Sequence, residues 1–200
     1  MSFQYFIISK PYGMLSQFTP EDGHAGLGDL YKFPKDVYPV GRLDTDSEGL
    51  LLLTNDKKLN HLLLDPKHAH QRAYLAQLDG AITDEALERL VRGVHIRVND
   101  KDHLAKAVKA EQAGAPENLP ERNPPIRYRK SIPTSWIKLV LTEGKNRQVR
   151  KMTAAAGFPT LRLIRIGIED IQIGDMKPGD VLELQKDTVY KKLKIKPDGK

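Results

Sequence analysis

The stretch GRLDTDSEGLLLLTND, residues 41–56, joins a polar bend to the most apolar run of the chain. Three carboxylates occupy alternate positions in the bend: Asp44, Asp46 and Glu48. The run Leu50–Leu53 that follows predicts a buried strand ending at Asn55. A carboxylate beside a strand that enters the core can be held rigidly and partly desolvated, which prepares it to act as a nucleophile or a base. An acidic surface turn and a weak Mg²⁺ site are the alternatives, although the ligand spacing of a metal site is missing.

Outward from this stretch, apolar patterning predicts short strands with helices interspersed irregularly. The predicted strands are Phe3–Ser9, Tyr38–Leu43, Leu50–Thr54, Arg72–Leu78 and Trp136–Leu141, with more between Thr160 and Leu184 broken at Gly167, Gly174 and Pro178-Gly179. Residues 14–40 predict loop with a short helix, and the proline-rich residues 111–133 predict a long extended connection. The alternation is irregular, so the fold class predicted is α+β, and a doubly wound sheet is not expected.

Three helices are predicted from spacing and capping residues. The first is Lys57–Leu64, closed by Pro66. The second follows a Thr83 cap and carries an apolar stripe of Leu87, Leu90, Val91 and Val94, with Gly93 near its end. The third is Arg147–Ala156, capped by Asn146 and packed through Val149, Met152, Thr153 and Ala156. The Lys-rich end from Gln185 onward is expected to be a frayed or solvated tail.

Composition limits the class of protein. The chain has 200 residues, is 40% hydrophobic and 29% charged, and contains no cysteine. One domain or two small ones are expected, and a disordered chain, disulfides and thiolate metal sites are excluded. Neither a secretory signal nor an apolar run of membrane-spanning length is visible, since the longest run is Leu50–Leu53. These features are compatible with a reducing cytoplasm.

The positive charge is concentrated in one segment. Arg122–Lys151 holds nine basic residues and one acid, Glu143, so it carries +8, whereas the whole chain carries +6. A local excess of this kind favours a polyanion as partner, with a solvated surface as the equal alternative. Lys145, Arg147, Arg150 and Lys151 crowd the start of the third helix, where backbone N–H groups attract anions and the helix dipole disfavours cations. The pattern favours phosphate binding over ordinary surface arginines.

Several motifs together resemble the ribosomal RNA pseudouridine synthases, the family of the small-subunit enzyme and its large-subunit relatives. The motifs are GRLDTDSEGLLLLTND, the tyrosine motif RAYLAQLDG (72–80), the basic motif EGKNRQVRKM (143–152), KPYG (10–13), RNPPIRYRKSIPTSW (122–136) and LRLIRIGIEDI (161–171). They occur in the family's order, and RNPPIR with SIPTSW is similar to the large-subunit synthase E subgroup. Arg72 stands where relatives usually carry Lys.

The resemblance implies a role for each matching residue. Asp44 is the essential carboxylate, Tyr74 lies against the target uracil, Arg150 pairs with Asp44, and Arg42 fills the space left by the extruded nucleotide. The implied RNA-binding set also includes Lys145, Arg147, Lys151 and Arg165. Isomerisation involves no redox change, so no cofactor and no metal are expected.

The resemblance also implies the organisation and the partner. Residues 3–184 are expected to form the catalytic domain, a mixed, mainly antiparallel sheet with flanking helices and an RNA-binding cleft. No S4 RNA-binding module is expected before it, and residues 185–200 form a Lys-rich tail. The expected activity is isomerisation of a uridine to pseudouridine in ribosomal RNA of the large subunit (23S), free or in an assembly intermediate, by a cytoplasmic monomer with no membrane partner. A catalytically silent RNA-binding or assembly factor is the alternative, and a glycosidase using Asp44 and Glu48 leaves the basic segment unexplained.

Overall fold

The computed structural model describes residues 2–116, 119–126 and 132–196. Part of the basic segment, residues 127–131, and residues 197–200 at the end of the chain therefore lie outside the described residues. The chain divides into two compact units. The first unit comprises Met1–His70 with Arg165–Lys200, and the second comprises Gln71–Ile164.

Strands and helices alternate irregularly along the chain, which confirms the predicted α+β class. In chain order the strands are β1 (Tyr5–Lys10), β2 (Tyr38–Pro39), β3 (Glu48–Thr54), β4 (Arg72–Asp79), β5 (Val94–Val98), β6 (Lys101–Ala105), β7 (Lys109–Ala113), β8 (Thr134–Leu141), β9 (Thr160–Ile168), β10 (Ile171–Gln172) and β11 (Val181–Leu184). The α-helices are α1 (Leu27–Leu30), α2 (Lys57–Leu64), α3 (Asp84–Arg92), α4 (Gln148–Ala155) and α5 (Lys186–Lys192). A 3₁₀ turn, Pro66–His68, follows α2.

In the first unit, β1 lies between β3 and β11 and pairs antiparallel with both. Every residue of β1 and of β3 is buried. Each strand accordingly contains a continuous apolar run, Tyr5–Ile8 in β1 and Leu50–Leu53 in β3, instead of the alternation of a half-buried strand. The strand predicted at Tyr38–Leu43 is wrong beyond β2, because Gly41 has φ +73° and turns the chain toward the Asp44 bend.

The C-terminal segment closes the core of the first unit. The sequence predicted a frayed or solvated tail from Gln185, and this is wrong for α5 and for the buried Leu193 and Ile195 that follow it. Val189 and Leu193 are fully buried in the cluster that contains β1 and β3 side chains. The many lysines concealed this apolar face because they occupy the helix positions between its buried residues.

The second unit contains an antiparallel sheet in which β4 and β7 both pair with β8. Helix α3 begins as predicted, since the Thr83 hydroxyl accepts a hydrogen bond from the Ala86 N–H at 3.3 Å. Its apolar stripe was wrong in two members. Val91 is 40% exposed, and Val94 begins β5 because Gly93, at φ +120°, ends the helix.

The antiparallel hairpin of β5 and β6 was missed entirely. Its turn residues Asn99 and Asp100 have φ of 48° and 59°, the conformation that tight hairpins require and that Asn and Asp tolerate. That dipeptide, between VHIRV and KDHLA, was the available signal. Gly167 was also misjudged as a strand break. It lies within β9, where a Cβ would come 2.7 Å from the Gln172 side chain.

Candidate active site

The candidate catalytic carboxylate, Asp44, lies in a turn held by the backbone around it. The Ser47 N–H donates to the Asp44 carbonyl at 2.9 Å, and the Gly13 N–H donates to the Thr45 carbonyl at 2.8 Å. Asp44 itself is half-buried. The turn leads directly into β3, so its position is coupled to the core of the first unit.

A serine fixes the residue that precedes Asp44. The buried Ser16 hydroxyl donates to the Leu43 carbonyl at 2.8 Å and accepts from the Leu43 N–H at 3.0 Å. Both backbone polar groups of Leu43 are thus bonded to one side chain. Hydrogen bonds to the backbone on either side of Asp44 therefore limit its freedom, and a fixed position of this kind is what a preorganised reacting group requires.

Lys10 lies in the same unit as the carboxylates of the turn and was not identified from the sequence. Its side chain is fully buried, and Nζ donates to the Met14 carbonyl at 2.7 Å and the Pro11 carbonyl at 3.0 Å. Burial lowers the pKa of Lys10 to about 8, opposed by nearby carboxylates of Glu48, Asp46 and Asp44. A lysine at the end of an otherwise apolar strand was the signal that could have indicated this.

The two other predicted residues of the first unit differ in exposure. Arg42 is exposed two residues before Asp44. Arg165 is only 4% exposed, and its Nε donates to the Leu50 carbonyl at 2.7 Å. Its Nη2 has no hydrogen-bond partner among the residues that the structure describes. Arg165 thus supports β3 through one nitrogen and carries further donor capacity on another.

Tyr74 is in the second unit, on β4, directly opposite Leu139 of β8. It is 8% exposed, so its backbone is fixed by the ladder and little of its side chain meets solvent. Arg72, which opens the strand two residues earlier, pairs with Leu141. The tyrosine motif is therefore a sheet strand, as the alternation of its residues predicted.

The basic motif begins α4, but not in the way predicted. The helix starts at Gln148, and Arg147 precedes it in a left-handed conformation with φ 52° and ψ 34°. The predicted Asn146 cap is wrong, because the Gln148 side chain accepts the Lys145 N–H at 2.9 Å, and the Asn146 amide oxygen accepts from Lys151 Nζ at 3.3 Å. The predicted packing face is correct: Val149, Met152, Thr153 and Ala156 are all buried.

Arg150 lies within α4, half-buried, and its Nη1 donates to the Thr160 carbonyl at 3.2 Å. Lys145 and Arg147 are exposed, and Lys151 is half-buried. The predicted site residues divide between the two units. Asp44, Arg42 and Arg165 belong to the first, whereas Tyr74, Arg150, Lys145, Arg147 and Lys151 belong to the second.

The arrangement around Asp44 provides a carboxylate on a fixed backbone, which can serve as a nucleophile or a base. Within residues 2–116, 119–126 and 132–196, no group of three or more His, Asp or Glu side chains could hold a metal ion. The helices of the same described residues include none that is long and apolar enough to cross a membrane.

Comparison with known proteins adds to this geometry. The family model described as RNA pseudouridylate synthase matches residues 4–155. A protein named ribosomal large subunit pseudouridine synthase E from Vibrio parahaemolyticus is 49% identical over 179 residues, which are 90% of this chain and 73% of that protein. A protein of the same name from Xanthomonas axonopodis is 43% identical, over 86% of this chain and 89% of that protein.

The fold has a counterpart among solved structures. The crystal structure of a pseudouridylate synthase superimposes with a TM-score of 0.76 and 24% identity, covering 96% of this chain and 74% of that chain. It supports the fold expected from the motifs, including its mainly antiparallel sheet. With a family match over most of the sequence and relatives above 40% identity, this chain belongs to the RNA pseudouridylate synthase family.

Proposed function

We propose that this chain isomerises one uridine of large-subunit ribosomal RNA to pseudouridine, with Asp44 as the essential carboxylate. One observation carries the proposal. A half-buried aspartate sits on a backbone held from both sides, at the entrance to a fully buried strand, in a chain of this family. The names of the relatives, large subunit pseudouridine synthase E, support the choice of RNA.

The reaction defines what the residues must do. A uridine inside folded RNA exposes neither C1′ nor C5, so the enzyme has to extrude it and hold the free base. The C1′–N1 bond breaks and a C1′–C5 bond forms, while the proton lost from C5 is balanced by one gained at N1. Product and substrate are isomers, and no electron carrier takes part. The ionised Asp44 carboxylate either attacks C1′ or removes the C2′ proton, and both routes remain within the proposal.

The other residues serve this carboxylate or the RNA. Tyr74 lies against the extruded uracil and Arg150 pairs with Asp44. Arg42, exposed beside the turn, fills the space that the base vacates. Phosphates are contacted by three basic side chains, Lys145, Arg147 and Lys151, whereas the buried Arg165 supports RNA binding by holding β3 in place. The enzyme works as a monomer in the cytoplasm, on free ribosomal RNA or on an assembly intermediate.

The test is product formation on a transcript of large-subunit ribosomal RNA, followed by mapping of pseudouridine. The wild type should modify one site, whereas Asp44→Asn should be at least about a thousandfold slower and should still bind the transcript. Asp46→Asn is the matched control, since Asp46 is half-buried in the same turn, and it should stay within about tenfold of wild type.

Two outcomes would contradict the proposal. If the wild type bound the transcript but formed no pseudouridine, the chain would be an RNA-binding factor and the isomerase activity would be refuted. If Asp46→Asn lost activity as fully as Asp44→Asn, the assignment of the essential carboxylate would be wrong.

A further inference from the structure

Arg147 has a backbone conformation that residues with a Cβ adopt only rarely. Its φ of 52° and ψ of 34° lie in the left-handed region, where a Cβ is disfavoured. Strained residues of this kind persist where other contacts fix them, and they occur preferentially at functional sites. The residue after Arg147 supplies contacts that fix the turn around it.

Gln148 closes the turn that displays Arg147. The Gln148 N–H donates to the Lys145 carbonyl at 3.1 Å, and its side-chain Oε1 accepts the Lys145 N–H at 2.9 Å. Asn146 and Arg147 form the tip of this turn, and both are exposed. Gln148 is only 4% exposed, so the turn is held by a buried side chain.

The orientation of the Gln148 amide is set in turn by Glu143. The Gln148 Nε2 donates to the Glu143 carboxylate at 2.6 Å, which leaves the Gln148 Oε1 to face Lys145. The same carboxylate is hydrogen-bonded to His103, whose Nε2 lies 2.9 Å from one of the Glu143 oxygens and 3.1 Å from the other. Glu143 is the single acid in the segment Arg122–Lys151, and its bonds give that exception a structural reason.

His103 lies on β6, in the hairpin that the sequence analysis missed. A second histidine on the same hairpin, His95, bonds Asp102 at 2.6 Å, but both side chains are about two-thirds exposed and the bond stays within the hairpin. The bond from His103 instead joins the hairpin to the turn at the start of α4. Chains of fixed hydrogen bonds transmit the loss of one member to the others.

We propose that His103 and Glu143 are positioning residues for RNA binding, acting through Gln148 to hold Arg147 in the conformation that meets the RNA backbone. This inference rests on the proposed RNA-binding role of Arg147. Preorganised contacts bind more tightly because less freedom is lost on association. Loss of His103 therefore weakens RNA binding and leaves the chemical step at Asp44 unchanged.

The experiment is a double-mutant cycle with His103→Ala and Arg147→Ala. Affinity is measured by fluorescence anisotropy on a labelled transcript of large-subunit ribosomal RNA, alongside KM and kcat. We expect His103→Ala to raise Kd and KM about fivefold with kcat within about twofold, and to add almost nothing when Arg147 is already Ala. His103→Gln, whose amide can donate to Glu143, should recover most of the affinity.

His95→Ala is the matched control and should bind as the wild type does. Additive effects of His103→Ala and Arg147→Ala would overturn the inference, as would a fall in kcat at unchanged KM or wild-type affinity in Arg147→Ala. If His103→Ala fails to fold, His103→Leu, which fills more of the space and cannot donate to Glu143, takes its place in the cycle. If the wild type formed no pseudouridine, the proposed function would be refuted but this inference would not. The double-mutant cycle measures Kd, so it tests the coupling between His103 and Arg147 without any product being formed.

Discussion

Two aspartates flank the same strand, and their surroundings differ. Asp56, after β3, is 2% exposed, and its Oδ2 accepts hydroxyl donors from Tyr5 at 2.8 Å and Tyr190 at 2.6 Å. Its Oδ1 accepts the Leu59 N–H at 3.1 Å, which caps α2. Asp44, before β3, is half-buried on a backbone held by its neighbours. A carboxylate enclosed and saturated by donors stabilises the fold, whereas a partly accessible one can meet a substrate.

The protonation of Asp56 follows from that enclosure. Burial by itself raises the pKa of Asp56, but hydrogen bonds from Tyr190, the Leu59 amide and Tyr5 hold it below its ordinary value. The pKa of Tyr190 is raised by burial and by its bond to Asp56. The side chains of Tyr5, Asp56 and Tyr190 form one buried network that joins β1, the start of α2 and α5.

The largest effect on stability is expected at Asp56. Asp56→Ala leaves two buried tyrosine hydroxyls without their acceptor and removes the cap of α2, so the free energy of unfolding should fall by about 3 kcal/mol. The fraction that remains folded should keep wild-type kcat. Urea denaturation and single-turnover assays on the same preparation measure both quantities.

The exposed Asp175→Ala is the control and should leave the midpoint of denaturation unchanged. Because the pKa of Asp56 is lowered in the folded state, its stabilisation is present above about pH 4 and is lost as the pH falls below that value. The acid limb of stability should therefore be shallower in Asp56→Ala. If Asp56→Ala were as stable as the wild type, the stabilising role that distinguishes Asp56 from Asp44 would be wrong.

At the other aspartate, the proposed pairing with Arg150 predicts a loss of rate without a loss of binding. A guanidinium can orient a carboxylate through two parallel hydrogen bonds, and it offsets the loss of solvation that an extruded uracil would impose on Asp44. Arg150→Ala should lower kcat about a hundredfold and change RNA affinity by less than about threefold. Arg150→Lys should also lose rate, because Lys cannot pair bidentately.

The rate at saturating RNA distinguishes this role from a phosphate contact. Excess RNA would restore the rate of Arg150→Ala if the arginine only contacted a phosphate, whereas a loss of orientation at Asp44 persists at saturating RNA. An Arg150→Ala enzyme with normal kcat at saturating RNA would reduce Arg150 to a phosphate contact.

A smaller effect is expected from Lys10, the buried cation of the unit that carries Asp44. Its folded pKa, about 8, is below the ordinary 10.5, so the unfolded chain binds more protons between these values and stability rises with pH there. Between pH 8 and pH 10, the free energy of unfolding of the wild type should rise by about 2 kcal/mol relative to that of Lys10→Met. Lys57→Met, at an exposed position on α2, is the control, and its free energy of unfolding should depend on pH as that of the wild type does. If the free energy of unfolding of Lys10→Met showed the same pH dependence as the wild type, the burial of a titrating lysine would be contradicted.

Elements with a local signal were predictable from the sequence. Helix α2 has the predicted bounds because Leu59 and Leu63 repeat at helical spacing before Pro66, and α3 begins at its Thr83 cap. Strands β1, β3, β4 and β8 follow apolar runs or alternation. The family was predicted from its motifs and is confirmed by the comparisons, whereas the roles of the individual site residues stay predictions.

Contacts between distant residues were decided only by the tertiary structure. Tyr190 meets Asp56 across 134 positions, and nothing in the Lys-rich segment around it marks that contact. His103 meets Glu143 across 40 positions, and the burial of Lys10 depends on the fold around it. Apolar spacing and capping residues reflect interactions between residues that are neighbours along the chain. Burial and the choice of a distant partner are set by packing. The sequence therefore determined the family and the elements that carry a local signal, and the tertiary structure decided which charges are buried.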